Sequence, residues 1–244
     1  MKQIKIDATE STNDYLKQML RQGPLDDGTV VRTLHQTKGR GQRGADWFFE
    51  KDKSLAMSVL KIWSAENQPN PFHLQWVISC AVLAALSALG KAAWHIKWPN
   101  DIMADGKKVA GLLIEHQFQG RIQSTVIGIG VNVNNTEFPN LPLADSISQI
   151  LGIPIDLDLL CLNLSAFINQ ACHDLKTDMQ QLDLDRFNQH LYLKNIDALF
   201  QDENKNVFEG RIERVDQQGQ LHVQTAEGIK QFSVGTIKYL LNLA

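Results

Sequence analysis

The sequence predicts an α+β protein in which helices pack on a mixed sheet, followed by a small barrel-like β domain. Three observations carry this reading. Tight turns at Asp105-Gly106 and Gln119-Gly120 join consecutive strands as antiparallel neighbours, which argues against a purely parallel, doubly wound sheet. Two long stretches, one opened by Asn70-Pro71 and one starting near Asp156, carry apolar residues at helical spacing. Beyond about Asn195 the texture changes to short alternating runs punctuated by Gln218-Gly219 and Glu227-Gly228. The expected division is therefore residues 1–194 and residues 195–244.

The elements follow in order. A short strand at 4–6 precedes a helix over 13–22, capped by Ser11 or Thr12 and stopped at Gly23-Pro24. Residues 30–36 are rich in β-branched side chains and read as a strand, as do 54–60. The helix starting at Pro71 is expected to reach Gly90, and Pro99 ends a strand over 95–98. Residues 108–118 and 122–133 form a long hairpin. The spacing of Leu160, Leu164, Ile168, Ala171 and Leu175 predicts one helix, and a second is expected over 183–193. Runs at 207–212, 221–225 and 229–232 are the strands of the terminal domain.

Composition bounds the function. Hydrophobic residues make up 43% of the chain, enough for a sizeable core, and the net charge of −3 supplies no global basic field for nucleic acid. The apolar run 76–89 is too short to span a bilayer comfortably, and the N-terminal residues lack the apolar segment of a signal peptide. A cytoplasmic protein without membrane contact is expected. Cys80, Cys161 and Cys172 lie in helix-periodic stretches without a C-x-x-C pair and read as core thiols. The histidines show no metal spacing, and no G-x-S-x-G elbow is present.

The most informative stretch is Lys38-Gly39-Arg40-Gly41-Gln42-Arg43-Gly44-Ala45-Asp46-Trp47. Its glycines let backbone N–H groups approach an anion, and its arginines supply planar cationic forks. Gly39-x-Gly41-x-x-Gly44 also fits a dinucleotide fingerprint, but residues 47–53 that follow have no helical stripe. A solvated charged loop is the bland alternative. A second cluster runs from Lys97-Trp98-Pro99-Asn100-Asp101 to Lys107-Lys108-Val109-Ala110-Gly111. If the sheet carries it under the loop, Lys97, Lys108, Arg40 and Arg43 surround one point, which is repulsive unless an anion sits there. Alone, Lys108 also reads as a solvated hairpin lysine. Asp101 is a candidate Mg²⁺ ligand, and Asn-Asp after Pro is also ordinary turn chemistry.

Five segments in order, Ser11-Thr12-Asn13, 36–47, 97–101, 108–111 and Gly128-Ile129-Gly130-Val131-Asn132, make the chain resemble the biotin protein ligases over essentially its whole length. The resemblance implies a mixed sheet with packed helices and an SH3-like C-terminal barrel. It also implies the reaction: biotin and MgATP form biotinyl-5′-AMP and pyrophosphate, and a lysine of a biotin carboxyl carrier protein then attacks the mixed anhydride. Bringing a carboxylate to a phosphate builds negative charge, which preorganised cations would stabilise. By carry-over, Lys108 contacts the biotin carboxylate and the phosphoryl group, and Arg40 and Arg43 belong to the loop that orders over the ligand. Trp47 stacks on adenine, and Asn132 bonds the base. Ser11, Thr12 and Gln36 meet the ureido ring, and the strand around Gly111 walls the thiophene and valeryl portion. Asn13, Gly39, Gly41, Gln42, Lys97 and Asn100 fall in the same segments and are carried as ligand-binding positions.

Arginines often stand in the family where this chain has Gln42 and Ala45, so the loop is expected to retain the adenylate less tightly. Single-turnover release should then be slower in Gln42→Arg than in the wild type, and equal retention would refute this. Because Ser11 comes so early, no N-terminal winged helix and no specific DNA binding are expected; a homodimer is left open. The alternatives are a lipoate or octanoate ligase on the same fold, a nicotinamide oxidoreductase, and a noncatalytic biotin-binding effector module.

Overall fold

The computed structural model describes residues 2–175 and 177–241 of the chain. Met1 and residues 242–244, at the outer ends of the two expected domains, lie outside them.

A seven-stranded sheet has the order β1-β2-β3-β7-β6-β5-β4. Its strands are β1 (Gln3–Ile6), β2 (Val30–Thr33), β3 (Ser54–Ile62), β4 (Trp94–Lys97), β5 (Asp101–Ala104), β6 (Lys107–Gln119) and β7 (Arg121–Asn132). Only β1 and β2 pair in parallel; every other neighbour is antiparallel, including β5/β6 and β6/β7, which the turns at Asp105-Gly106 and Gln119-Gly120 predict. Helices α2 (Pro71–Ser87) and α4 (Leu157–Asp174) cover one face, and α5 (Gln180–Gln189) packs against α2. Helix α1 (Thr12–Gln22) packs on the other, against β2, β3 and β7. Alternation along β3 divides its side chains accordingly. Leu55, Met57 and Val59 join the large core under α2 and α4, whereas Leu60 meets Leu16, Val31 and Val126 beneath α1.

The helix starts follow the capping residues. Ser11 Oγ accepts from the Asp14 amide, Asn70 Oδ1 from Phe72 and His73, and Asp156 Oδ1 from Asp158 and Leu159. Two helix ends differ from expectation. Helix α2 stops at Ser87, because the chain turns tightly over residues 86–90 and Gly90 lies against Leu151. Helix α5 stops at Gln189, because Leu191 and Tyr192 leave it to cover the edge of β4. Ile96 donates to the His190 carbonyl at 2.7 Å, and Tyr192 donates to the Ile96 carbonyl at 2.8 Å. Strand β2 ends at Thr33, three residues early, and Gln36 instead bridges to Thr9. The five-residue helix α3 (Ile147–Leu151) is too short to show a period in the sequence.

The C-terminal region forms a second, five-stranded antiparallel sheet of order β11-β10-β9-β8-β12. Its strands are β8 (Asp197–Asp202), β9 (Val207–Val215), β10 (Leu221–Thr225), β11 (Gly228–Phe232) and β12 (Ile237–Leu240). The first and last were not apparent from alternation. The two sheets share one core, since Phe200, Ile212, Val215, Leu221 and Tyr239 belong to the same buried cluster as Ile96, Trp98 and Phe187. Asn188 clasps Val215 through both its amide and carbonyl, at 3.0 and 2.6 Å. Among the described residues no helix is long and apolar enough to cross a membrane. Burial pushes the Cys80 and Cys172 thiols up to about 12, which suits core residues without reactivity.

Candidate ligand site

On the α1 face the sheet carries a bare strip. Ala56 of β3, Gly130 of β7, Gly111 of β6 and Asp101 of β5 stand in register across four strands, with Ser58, Gly128 and Leu113 two residues along. Without side chains at these glycines, other groups lie directly on the sheet. The Trp47 indole does so: a Cβ on Gly130 would sit 2.5 Å from its Nε1, and one on Gly111 would sit 2.8 Å from Cζ3. Trp47 and Lys108 separate two cavities. The first, about 180 Å³, lies between the strip, the start of α1 and the loop; the second, about 510 Å³, opens towards Asn132, Phe138 and Lys238.

The polar end of the first cavity is made by the start of α1 and by Gln36. Thr12 occupies the first helical position, where its amide lacks an intrahelical acceptor, and Gln36 Oε1 accepts from it at 3.0 Å. That bond turns the Gln36 amide nitrogen away, making it available as a donor. Ser11 Oγ, already accepting from Asp14, keeps its hydroxyl proton. Ser11, Thr12 and Asn13 are all buried. Gly39 is packed behind this end, where a Cβ would come within 2.7 Å of Gln36 Nε2.

The opposite end is cationic. Lys108 Nζ is 2.7 Å from Asp101 Oδ1, and Lys97 Nζ is 3.6 Å from Oδ2, so two ammonium groups share one carboxylate. Burial depresses the Lys97 pKa, with Lys108 adding to the effect and Asp101 opposing it. Lys97 also lies 5.0 Å from the Tyr239 ring and Lys108 5.2 Å from the Trp47 ring. The surplus positive charge lies at the junction of the two cavities. Asn100 donates to the Leu112 carbonyl at 2.7 Å, which ties the 97–101 segment to β6. The Asn132 amide nitrogen donates to the Lys108 and Asp145 carbonyls, so its oxygen is the group left for a donor in the second cavity. Both Asp101 oxygens face lysines, and among the described residues no three His, Cys, Asp or Glu side chains converge.

The glycine loop is a small hairpin, with Trp47 donating to the Gly39 carbonyl at 2.9 Å and Gly41 to that of Ala45 at 2.6 Å. Arg40, Gly41 and Gln42 line the first cavity, but the four expected cations do not meet at one point. The Arg40 guanidinium is held by Asp14 on α1, whose carboxyl its two cationic neighbours keep below the usual range although burial opposes them. Arg43 turns away altogether. It donates to the Val234 carbonyl at 2.9 Å, and its guanidinium fills the space where a side chain at Gly235 would stand. Arg43 itself has a positive φ of 56°.

Several contributing residues were not singled out from sequence. Gly128 and Gly130 stand in a segment quoted for the resemblance but were given no role there, although glycine at alternate positions inside a β-branched strand marks close approach of another group. Ser58 is a hydroxyl within the apolar run 55–60 of a central strand, which is a weaker signal. Asp14 and Lys238 carry no local signal.

Comparisons with known proteins agree with this geometry. The sequence profile of the Biotin/lipoate A/B protein ligase family matches residues 6–132. The bifunctional ligase/repressor BirA of Bacillus subtilis is 36% identical over 135 residues, covering 53% of this chain and 41% of that protein. The biotin--[acetyl-CoA-carboxylase] ligase of Mycobacterium tuberculosis is 33% identical over 150 residues, covering 59% of this chain and 54% of its own. The chain thus spans about half the length, or less, of these relatives. A solved biotin protein ligase from Aquifex aeolicus, in complex with biotin and ATP, superposes with a TM-score of 0.80 over 98% of both chains at 24% identity, a likeness of fold. Because the family profile covers just over half of the 244 residues and falls on the strands and loop that build the two cavities, the chain belongs to the biotin/lipoate A/B protein ligase family.

Proposed function

We propose that the chain is a biotin protein ligase: it activates biotin with ATP as biotinyl-5′-AMP and passes the biotinyl group to a lysine of a biotin carboxyl carrier protein. The observation that carries biotin over lipoate is the buried polar end of the first cavity. A cyclic urea has a carbonyl to accept from Gln36 and Ser11 and N–H groups to donate, whereas a dithiolane would leave these groups unpaired, at about 1–3 kcal/mol each. The valeryl chain then runs over the bare strip towards Lys108. ATP occupies the second cavity, with its base near Trp47 and Asn132 and its α-phosphate at the junction.

In the first step a biotin carboxylate oxygen attacks the α-phosphorus and pyrophosphate leaves. In the second the carrier amine attacks the acyl carbon, its proton is lost and AMP leaves. Lys108 and Lys97 neutralise the charge that accumulates where the two anions meet. Asp101 orients both lysines, and Arg40 sits at the cavity mouth. The division at 194/195 and an SH3-like arrangement of the second sheet belong to the same reading, as does a cytoplasmic location.

The test mixes the protein with MgATP, biotin and a biotin carboxyl carrier domain and weighs the carrier by mass spectrometry. One added biotinyl group is expected. Pyrophosphate exchange supported by lipoate and not by biotin would transfer the assignment to lipoate, and biotin binding without exchange would indicate an effector module.

A further inference from the structure

Asn13 lines the first cavity, and its amide is also engaged inside the protein. Its Nδ2 donates to the Leu113 carbonyl at 3.2 Å and to Glu115 Oε2 at 2.7 Å. The other Glu115 oxygen accepts from Lys17 Nζ at 2.9 Å, and Lys17 is also 2.9 Å from Asp14. An amide donates only through nitrogen, so two acceptors on that side fix Asn13 Oδ1 on the other. Ser58 Oγ is found there, 2.6 Å from Oδ1 and 2.8 Å from Thr12 Oγ1. Ser58 has one proton and Oδ1 has none, so that proton goes to Asn13. Thr12 must then supply the proton on the second contact, which leaves its lone pairs for the cavity. All three members of the relay are buried. Ser58, Asn13 and Thr12 are 0, 3 and 4% exposed, and a Cβ on Gly128 would fall 2.3 Å from Asn13 Oδ1.

We propose that Glu115 is a positioning residue that sets the direction of this relay, so that Thr12 is held as a hydrogen-bond acceptor and the pocket selects a ring with an N–H donor at that point. The inference rests on the ligase reading above, because biotin is the ring that probes it. Glu115 lines neither cavity. It acts through Asn13 and Ser58, as a half-buried carboxylate that orders the donors in front of it. Glu115→Leu removes the shorter, charged contact and leaves the Leu113 carbonyl, at 3.2 Å, to hold the Asn13 amide, so its direction is set less firmly. Lys17 is not orphaned by this change, since Asp14 remains its partner.

The experiment measures biotin affinity by calorimetry, and kcat and KM for both substrates, in wild type, Glu115→Leu, Glu115→Gln, Thr12→Val and Thr12→Val with Glu115→Leu. Each of Glu115→Leu and Thr12→Val should weaken biotin binding about tenfold, and the double variant should also lose about tenfold rather than a hundredfold. In Glu115→Leu the KM for ATP and kcat should stay within about twofold of wild type, since Glu115 lines neither cavity. Glu115→Gln keeps an acceptor for Asn13 while losing the charge, and should recover affinity to within about threefold. Independent, multiplying losses would overturn the relay, as would Glu115→Gln behaving like Glu115→Leu, or an equal loss in every kinetic constant. A wild type that binds no biotin would remove the ligase reading and this inference together. A wild type that binds biotin but shows independent losses would remove this inference alone.

Discussion

Lys108→Ala is expected to slow biotin-dependent pyrophosphate exchange about 10²–10³-fold, the usual loss when one preorganised donor to developing charge is removed. Lys108 is the side chain that stands between the cavities, in contact with Asp101 and over the Trp47 ring. Its removal leaves Asp101 facing Lys97 alone, so no buried carboxylate is orphaned and stability should change little. The loss should fall on kcat and kcat/KM together, because the interaction grows as the two anions approach. Exchange and thermal unfolding measured on the same preparation decide the matter. A rate within threefold of wild type would remove Lys108 from the chemistry, and a large fall in Tm would make its role structural.

Gly130→Ala should separate the two cavities functionally. The new Cβ would lie 2.5 Å from the Trp47 ring, and β7 cannot retreat because it is hydrogen-bonded to β3 on one side and β6 on the other. The indole must therefore move off the strip. The KM for ATP is expected to rise on the order of tenfold to a hundredfold, as misplacement of a positioning group by about 1 Å does, while biotin affinity changes far less. Overpacking should also cost about 1–3 kcal/mol of stability. Trp47 fluorescence, isolated by comparison with Trp47→Phe, should shift to the red as the ring gains solvent. An unchanged KM for ATP with an unchanged spectrum would show that the strip does not seat the ring.

The elements legible in the sequence were those whose information is local. Ser11, Asn70 and Asp156 announce helix starts because a cap acts on amides two or three residues away. The loop 38–47 and the Lys97 and Lys108 segments are legible because their chemistry is concentrated within a few positions. What escaped depends on partners distant in sequence. Nothing near Arg43 reveals that it is tied to Val234, nor near Asp14 that it holds Arg40. The end of α5 is set by the edge of β4, about ninety residues earlier, which removes Leu191 and Tyr192 from a helix their own sequence would extend. Asn13 was read as a ligand contact from its neighbours in the segment, and only the position of Glu115 shows its amide already engaged.

The Arg43 contact has a thermodynamic consequence. A glycine-rich loop has many conformations to lose, and fixing each residue of backbone costs about 1–2 kcal/mol. When that loss falls at the moment of binding, it is subtracted from affinity. Here the hairpin is joined at mid-length to a residue 191 positions away, so some of its freedom is surrendered when the C-terminal sheet folds. Shortening or displacing the turn at Val234 and Gly235 would return that entropy to the unliganded state. The effect would be read as weaker ligand binding, although neither residue lies at the junction of the two cavities.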